Sequence, residues 1–214
     1  MNKVIFITGT DTNVGKTYCG VRILQEYHSQ GLSTVGLKPV ASGSEKDQTG
    51  QLKNDDALKL QATASIKLPY FQVNPFVFEP PIAPHIAASL VGTSLTAQAL
   101  LDATLSTIKQ YSADITVIEG AGGWFLPLND QETMVDYLAL LSREVHLEIV
   151  LIVGMKLGCL NHALLTVNAI ESFTQKHPAK FQQWIPNSPE GEMLYLKENI
   201  EFLSNSVLSQ ILRR

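Results

Sequence analysis

The sequence predicts an α/β protein, a mostly parallel sheet with helices on both faces, and three observations carry that reading. Short apolar runs rich in β-branched residues recur at 3–8, 34–38, 115–119 and 148–153, each followed directly by glycine or proline. The first two runs are separated by a segment with helical spacing, which is the signature of a parallel return. Polar, glycine-rich turns gather where these runs end, the edge at which such sheets bind ligands. A chain of 214 residues, 45% apolar and 17% charged, suits one domain spanning 1–214 with a shared core.

Residues 3–8 read KVIFIT, a strand buried on both faces. After a loop from Gly9 to Gly15, Val21, Leu24 and Tyr27 mark one face of a helix that opens at Lys16 and stops at Gln30-Gly31. The strand 34–38 follows and ends at Pro39. Residues 41–54 are polar and turn-rich, predicting an exposed loop that leads into a helix near 56–62. The stretch 68–84 contains Asn74-Pro75, Pro80-Pro81 and Pro84, so it cannot form long regular structure and is expected to wrap the surface. Helices are predicted at 86–90 and 96–110, then the strand ITVIE at 115–119 with Gly120, Ala121, Gly122 and Gly123 behind it. EIVLIV at 148–153 is the next strand, a helix covers 161–175, a weak strand 181–185, and an amphipathic helix follows Gly191.

Sixteen Lys and Arg against twenty Asp and Glu give a net charge of −4, which offers no electrostatic footprint for nucleic acid. Cys19 and Cys159 are too few for a disulfide framework or a four-ligand zinc site, and a reducing compartment fits. The apolar run at 4–8 is far shorter than a leader core or a span of about 20 residues, so a cytoplasmic protein without a membrane partner is expected.

Gly9-Thr10-Asp11-Thr12-Asn13-Val14-Gly15-Lys16-Thr17 lies between a strand and a helix, the setting that gives a phosphate-loop pattern its mechanism. Backbone N–H groups at the helix start meet phosphate, Lys16 adds a full positive charge, and the Thr17 hydroxyl suits Mg²⁺. The fold is therefore expected to be P-loop NTPase-like. The first glycine stands one position earlier than the generic spacing. Glu119, at the end of ITVIE, emerges on the same edge and suits a magnesium-holding carboxylate. Lys38 ends the second strand, where a second cation would stabilise charge during phosphoryl transfer. Asp55 and Asp56 open a helix, which the dipole alone would favour. GCLNH at 158–162 starts another helix suited to a carboxylate. His85 and His162 are read as satisfied structural histidines, and Cys159 lacks a thiolate activator.

These blocks together resemble the dethiobiotin synthetase family. GTDTNVGKT, KPVASGSEK from Lys38, the Asp-Ala-Leu at Asp56, NPF at Asn74, PHI at Pro84, EGAGGWFLPL from Glu119 and VGMKLGCLNHALLT from Val153 follow in the family's order, from Val4 to about Tyr195. The resemblance implies a Mg²⁺- and ATP-dependent ligase that closes a ureido ring on 7,8-diaminononanoate with CO2, through a carbamate and a carbamic-phosphoric anhydride. It implies nucleotide contacts from Asn13, Val14, Gly15, Lys16, Thr17, Glu119, Gly122 and Asn187, and a metal shell of Thr17, Asp56 and Glu119. Lys38 would serve the carbamate and γ-phosphoryl alongside Lys16, with Thr12 and Ser42 near the diamine. Gly158, Cys159, Asn161 and Tyr195 would surround the substrate carboxylate, supplied across a homodimer interface. Asn13 stands where the family commonly has glutamate, Pro186 replaces a small residue before Asn187, and the family's last strand and Gly-x-Ile-Pro segment are missing before Arg214. Loose discrimination among bases is expected from these departures. Two other readings stay open: a nucleotide-switched partitioning or scaffold ATPase of the same fold, and a family member that binds without turning over.

Overall fold

The computed structural model describes residues 3–189, 191 and 193–211, so the expectation about the end at Arg214 lies outside the described residues. The elements run β1 (Lys3–Gly9), α1 (Lys16–Ser29), β2 (Thr34–Leu37), β3 (Val40–Ala41), β4 (Glu45–Lys46) and β5 (Leu52–Lys53). They continue through α2 (Asp55–Thr63), α3 (Tyr70–Val73), β6 (Phe76–Val77), α4 (Pro84–Leu90), α5 (Ala97–Tyr111) and β7 (Ile115–Glu119). The last are α6 (Met134–Leu141), β8 (His146–Gly154), α7 (Cys159–Thr174), β9 (Ala179–Asn187) and α8 (Leu196–Ile211).

The main sheet has the order β2-β7-β1-β8-β9, and every neighbouring pair is parallel. β1 lies in the middle, and the chain leaves it first toward β2 and β7 and later crosses to β8. Strand order therefore reverses at β1, and a crevice opens outside its carboxyl end. Both faces are covered, because strand residues alternate between two apolar layers. Ile5, Ile7, Val117, Val150 and Ile152 pack with Cys19, Ile23 and Leu24 of α1 and Leu60 of α2. Val4, Phe6, Leu37, Ile118, Ile149 and Leu151 face the other way, onto Leu100 of α5, Leu138 of α6, Val167 of α7 and Leu203 of α8. The expected single core is thus two layers divided by the sheet, since a strand buried on both faces sends successive side chains to opposite sides.

Four segments depart from the sequence reading. α6 was not predicted: its apolar residues MVDYLALL follow Thr133, whose N–H and hydroxyl both donate to the Asp136 carboxylate, 2.7 and 3.0 Å, at the helix start. β9 covers nine residues rather than five, because β8 beside it offers a long ladder from Leu147↔Ala179 to Gly154↔Asn187. Within the expected loop 41–54, β4 and β5 form a small exposed hairpin, Glu45↔Lys53 and Lys46↔Leu52, with Asp47 Oδ1 accepting from Thr49 N and Gln51 N. The proline-rich stretch holds no long element, as expected, but it does more than wrap the surface: Leu68, Val73, Asn74 and Phe78 are buried.

Among the described residues no helix is long and apolar enough to cross a membrane. Cys19 and Cys159 are buried free thiols, and burial pushes the Cys19 thiol up.

Candidate functional site

The early glycine of the phosphate loop has a packing cause. Val14 is buried, and a Cβ placed on Gly9 would come within 2.6 Å of its Cγ2, while one on Gly154 would come within 2.6 Å of its Cγ1. The Val14 side chain is thus a plug between the ends of β1 and β8, and two glycines make room for it. Thr10 extends the strand ladder, with its N–H donating to Ile152 O at 3.0 Å and its Oγ1 accepting from Gly154 N at 3.2 Å. Past the plug, Asn13 has φ 60 and Gly15 φ 93. Asparagine enters this left-handed region more readily than longer side chains do, which accounts for Asn13 at a tight bend. α1 then opens at Lys16 without a side-chain cap, leaving its first N–H groups for an anion.

A cleft of about 680 Å³ lies over this loop. It brings together Thr12, Asn13, Gly15, Lys16, Thr17, Lys38, Ser42, Asp56, Glu119 and Gly122, all candidates from the sequence. Pro81, Ile82, Ala83 and Pro84 form a further wall, which sequence reading did not assign; PHI at Pro84 was the only trace of it.

Charge is concentrated at the floor. Lys38 Nζ lies 2.7 Å from Glu119 Oε1 and 3.5 Å from Asp56 Oδ2, and the Thr17 hydroxyl donates to the same Glu119 oxygen at 3.0 Å. Burial alone would pull the Lys38 ammonium down, but the two carboxylates beside it hold it above the ordinary lysine value. Among the described residues Lys16 has no such partner at contact distance: its Nζ donates to the Asp11 carbonyl at 2.9 Å. Burial, reinforced by the positive charge of Lys38, brings Lys16 down to about 8.

The second oxygen of Glu119, Oε2, is buried and has no hydrogen-bond partner among the described residues. Thr17, Asp56 and Glu119 together form an oxygen-only donor set with two carboxylates. That is the chemistry of a hard divalent cation such as Mg²⁺, which completes its shell with water and phosphate oxygens. Among the described residues no three His, Cys, Asp or Glu side chains gather into a larger metal site.

Val14 and Asn187 lie outside this cleft. The Asn187 amide nitrogen donates to Val14 O at 2.7 Å, and its own carbonyl at the β9 terminus accepts from Met155 N at 2.7 Å. Asn187 therefore clasps the phosphate loop, and among the described residues none donates to its side-chain oxygen.

Gly158, Cys159, Asn161 and Tyr195 also stand apart from the cleft. Gly158, with φ 94, caps α7, the Cys159 side chain is buried, and the Cys159 N–H already donates to Lys156 O at 2.9 Å. Asn161 is exposed, and Tyr195, with φ 55, is 74% exposed just before α8. Around them Leu157 is 96% and Leu165 62% exposed. His162 is exposed, while His85 is not the satisfied histidine expected, since its Nδ1 is buried without a partner among the described residues.

Residues 3–202 match a family model described as an AAA domain. The chain is 46% identical over 205 residues to the ATP-dependent dethiobiotin synthetase BioD of Cellvibrio japonicus, covering 96% of this chain and 85% of that protein. The enzyme of the same name from Aeromonas hydrophila is 43% identical over 203 residues, covering 95% and 85%. BioD 1 of Escherichia coli O157:H7 is 46% identical over 171 residues, covering 80% and 73%.

Proposed function

This chain belongs to the dethiobiotin synthetase family, and on that premise we propose that it carries out the ATP-dependent closure of a ureido ring on 7,8-diaminononanoate. One amine adds CO2 and loses a proton, giving a carbamate. The γ-phosphoryl group of ATP passes to a carbamate oxygen, releasing ADP. The second amine then attacks the carbamoyl carbon and displaces phosphate, closing the ring.

The observation that carries this reading is the convergence of Lys16, Lys38, Glu119 and Asp56 at the floor of one cleft. Carbamate and triphosphate are both anionic, so bringing them into line costs repulsion that only fixed positive charge offsets. Lys16, at the start of α1, takes the phosphates. Lys38, buried and held charged by Glu119 and Asp56 beside it, serves the carbamate and the γ-phosphoryl. Thr17, Asp56 and Glu119 hold Mg²⁺, which supplies charge neutralisation to the phosphates. Thr12 and Ser42, on the cleft wall, face the diamine end.

Gly158, Asn161 and Tyr195 receive the substrate carboxylate from a partner subunit in this proposal. Their exclusion from the cleft, and the exposed Leu157 and Leu165 beside them, support a homodimer in which each cleft is completed by its neighbour. Leu157→Glu is expected to shift sedimentation toward monomer and raise the diamine requirement together; a dimer unaffected by it would remove this surface from the interface. Asn187, through its side-chain oxygen, reads the base.

The test of the reaction is product mass after incubation with 7,8-diaminononanoate, bicarbonate, Mg²⁺ and each nucleoside triphosphate in turn. Dethiobiotin formed in step with phosphate establishes the ligase and ranks the bases. Phosphate release without new product refutes it.

A further inference from the structure

Lys38 lies one residue past the last rung of its strand, Leu37↔Ile118, so the sheet does not hold its peptide groups. The proline-rich segment holds them instead. Lys38 N donates to Val73 O at 2.8 Å, and Lys38 O accepts from the side-chain nitrogen of Asn74 at 2.7 Å. Asn74 is buried, and its amide is matched at both ends: the nitrogen also reaches Phe76 O at 3.3 Å, while Oδ1 accepts from the Tyr70 hydroxyl at 2.9 Å. Reversing that amide would set its oxygen against two carbonyls, so only one orientation is satisfied.

The chain of bonds continues to the metal side. The Tyr70 oxygen accepts from Asn54 N at 2.6 Å, and the Asn54 side chain accepts from Asp56 N at 3.1 Å and Ala57 N at 3.2 Å as the cap of α2. Burial pushes the Tyr70 phenol up, which keeps its proton on as the donor to Asn74. Lys53 Nζ covers the ring, 4.0 Å from its centre. One hydroxyl thus ties the backbone that carries Lys38 to the helix start that carries Asp56.

We propose that Tyr70 and Asn74 are positioning residues that set Lys38 against Asp56. The inference rests on the proposed roles of those two groups. Neither Tyr70 nor Asn74 lines the cleft, so their effect passes through the cleft residues they hold: Lys38 on one side, Asn54 and Asp56 at the start of α2 on the other. A buried network of this kind is rigid only while every member is paired. Loss of one hydroxyl leaves Asn54 N–H and Asn74 Oδ1 unpaired and frees the ends to drift, and misplacement of reacting groups is costly in rate.

The test compares Tyr70→Phe with Tyr111→Phe. Tyr111 donates through its hydroxyl to Gln72 at 2.8 Å, in the same turn as Tyr70 but outside the chain of bonds, so it controls for simple loosening of α3. Affinity for a non-hydrolysable ATP analogue is measured by calorimetry with Mg²⁺ and with EDTA, and product turnover is measured alongside. Tyr70→Phe is expected to cut both the Mg²⁺-dependent gain in affinity and kcat about tenfold, with the EDTA affinity unchanged, as for an unpaired buried partner beside the reacting groups. Tyr111→Phe is expected to change neither. Asn74→Ala should match Tyr70→Phe in both readouts. If the two Tyr→Phe variants behave alike, differing from wild type only in melting temperature, the positioning role is overturned. If wild type makes no dethiobiotin while Tyr70→Phe alone still loses the Mg²⁺-dependent gain, the ligase reading fails and the positioning role stands.

Discussion

Nucleotide binding should become a proton-uptake reaction above pH 8, because of where Lys16 lies. Burial and the charge of Lys38 bring its ammonium from 10.5 down to about 8, a difference of about 3.5 kcal/mol at ~1.4 kcal/mol per pH unit. Below about pH 7 Lys16 is almost fully charged in the free protein, and binding a triphosphate moves almost no proton at this site. At pH 9 about nine in ten free molecules carry a neutral Lys16, whereas the bound triphosphate restores the charge, so each binding event takes up close to one proton. The dissociation constant should therefore be nearly flat below about pH 7, rise about fivefold between pH 8 and 9, and approach a tenfold rise per pH unit above that. Lys38 does not add to this window, since Glu119 and Asp56 outweigh its burial and keep it protonated. The same shift acts on folding. Between about 8 and 10.5 the unfolded chain binds the proton that the folded chain has lost, so this group makes the unliganded protein more stable as pH rises through that range. Calorimetric titration in two buffers of different ionisation enthalpy reads the proton directly. Identical heats in both buffers at pH 9, together with an unchanged dissociation constant, would refute the argument.

Lys38→Ala should abolish product formation while nucleotide affinity stays within a few-fold, as read by product mass and calorimetry. It should also cost about 3–5 kcal/mol in urea unfolding by stranding the buried Glu119 carboxylate, a loss that a second change, Glu119→Gln, partly restores. Gly15→Ala combines φ 93 with a Cβ only 2.0 Å from the Asn187 amide nitrogen, so at least about tenfold of nucleotide affinity should be lost. Pairing it with Asn187→Ala should relieve the contact but leave the backbone strain, and full recovery would mean that φ is not limiting. Val14→Ala removes two methyl groups from between Gly9 and Gly154 and should destabilise by about 1.5–3 kcal/mol in urea unfolding.

The strands were readable because their signal is local. Buried parallel strands are continuous apolar runs, and KVIFIT, ITVIE and EIVLIV each mark their own position. β9 read weakly, since AKFQQWIPN draws its order from the ladder with β8 and is only partly buried. α6 escaped for a different reason: its run MVDYLALL is apolar nearly all round, so no helical face stands out, and the acidic start at Asp136 was the available clue. The proline-rich stretch reads as surface from composition, yet Asn74 and Val73 hold the backbone of Lys38. Composition reports what a segment cannot form, not what packs over it.

Within the site, the sequence by itself determined the chemistry of the phosphate loop, because Gly15, Lys16 and Thr17 are contiguous and act through one helix start. It also determined the parallel sheet, through runs that carry their own burial pattern, and it named Lys38, Asp56 and Glu119 as strand-end and helix-start charges. Only the tertiary structure decided that Lys38 lies within 3.5 Å of both Asp56 and Glu119, that Val14 is a plug and Asn187 a clasp, and that Tyr70 joins Lys38 to Asp56. Glu119 is 81 residues from Lys38 in the chain, and no local pattern encodes a distance between groups that the sheet order alone brings together.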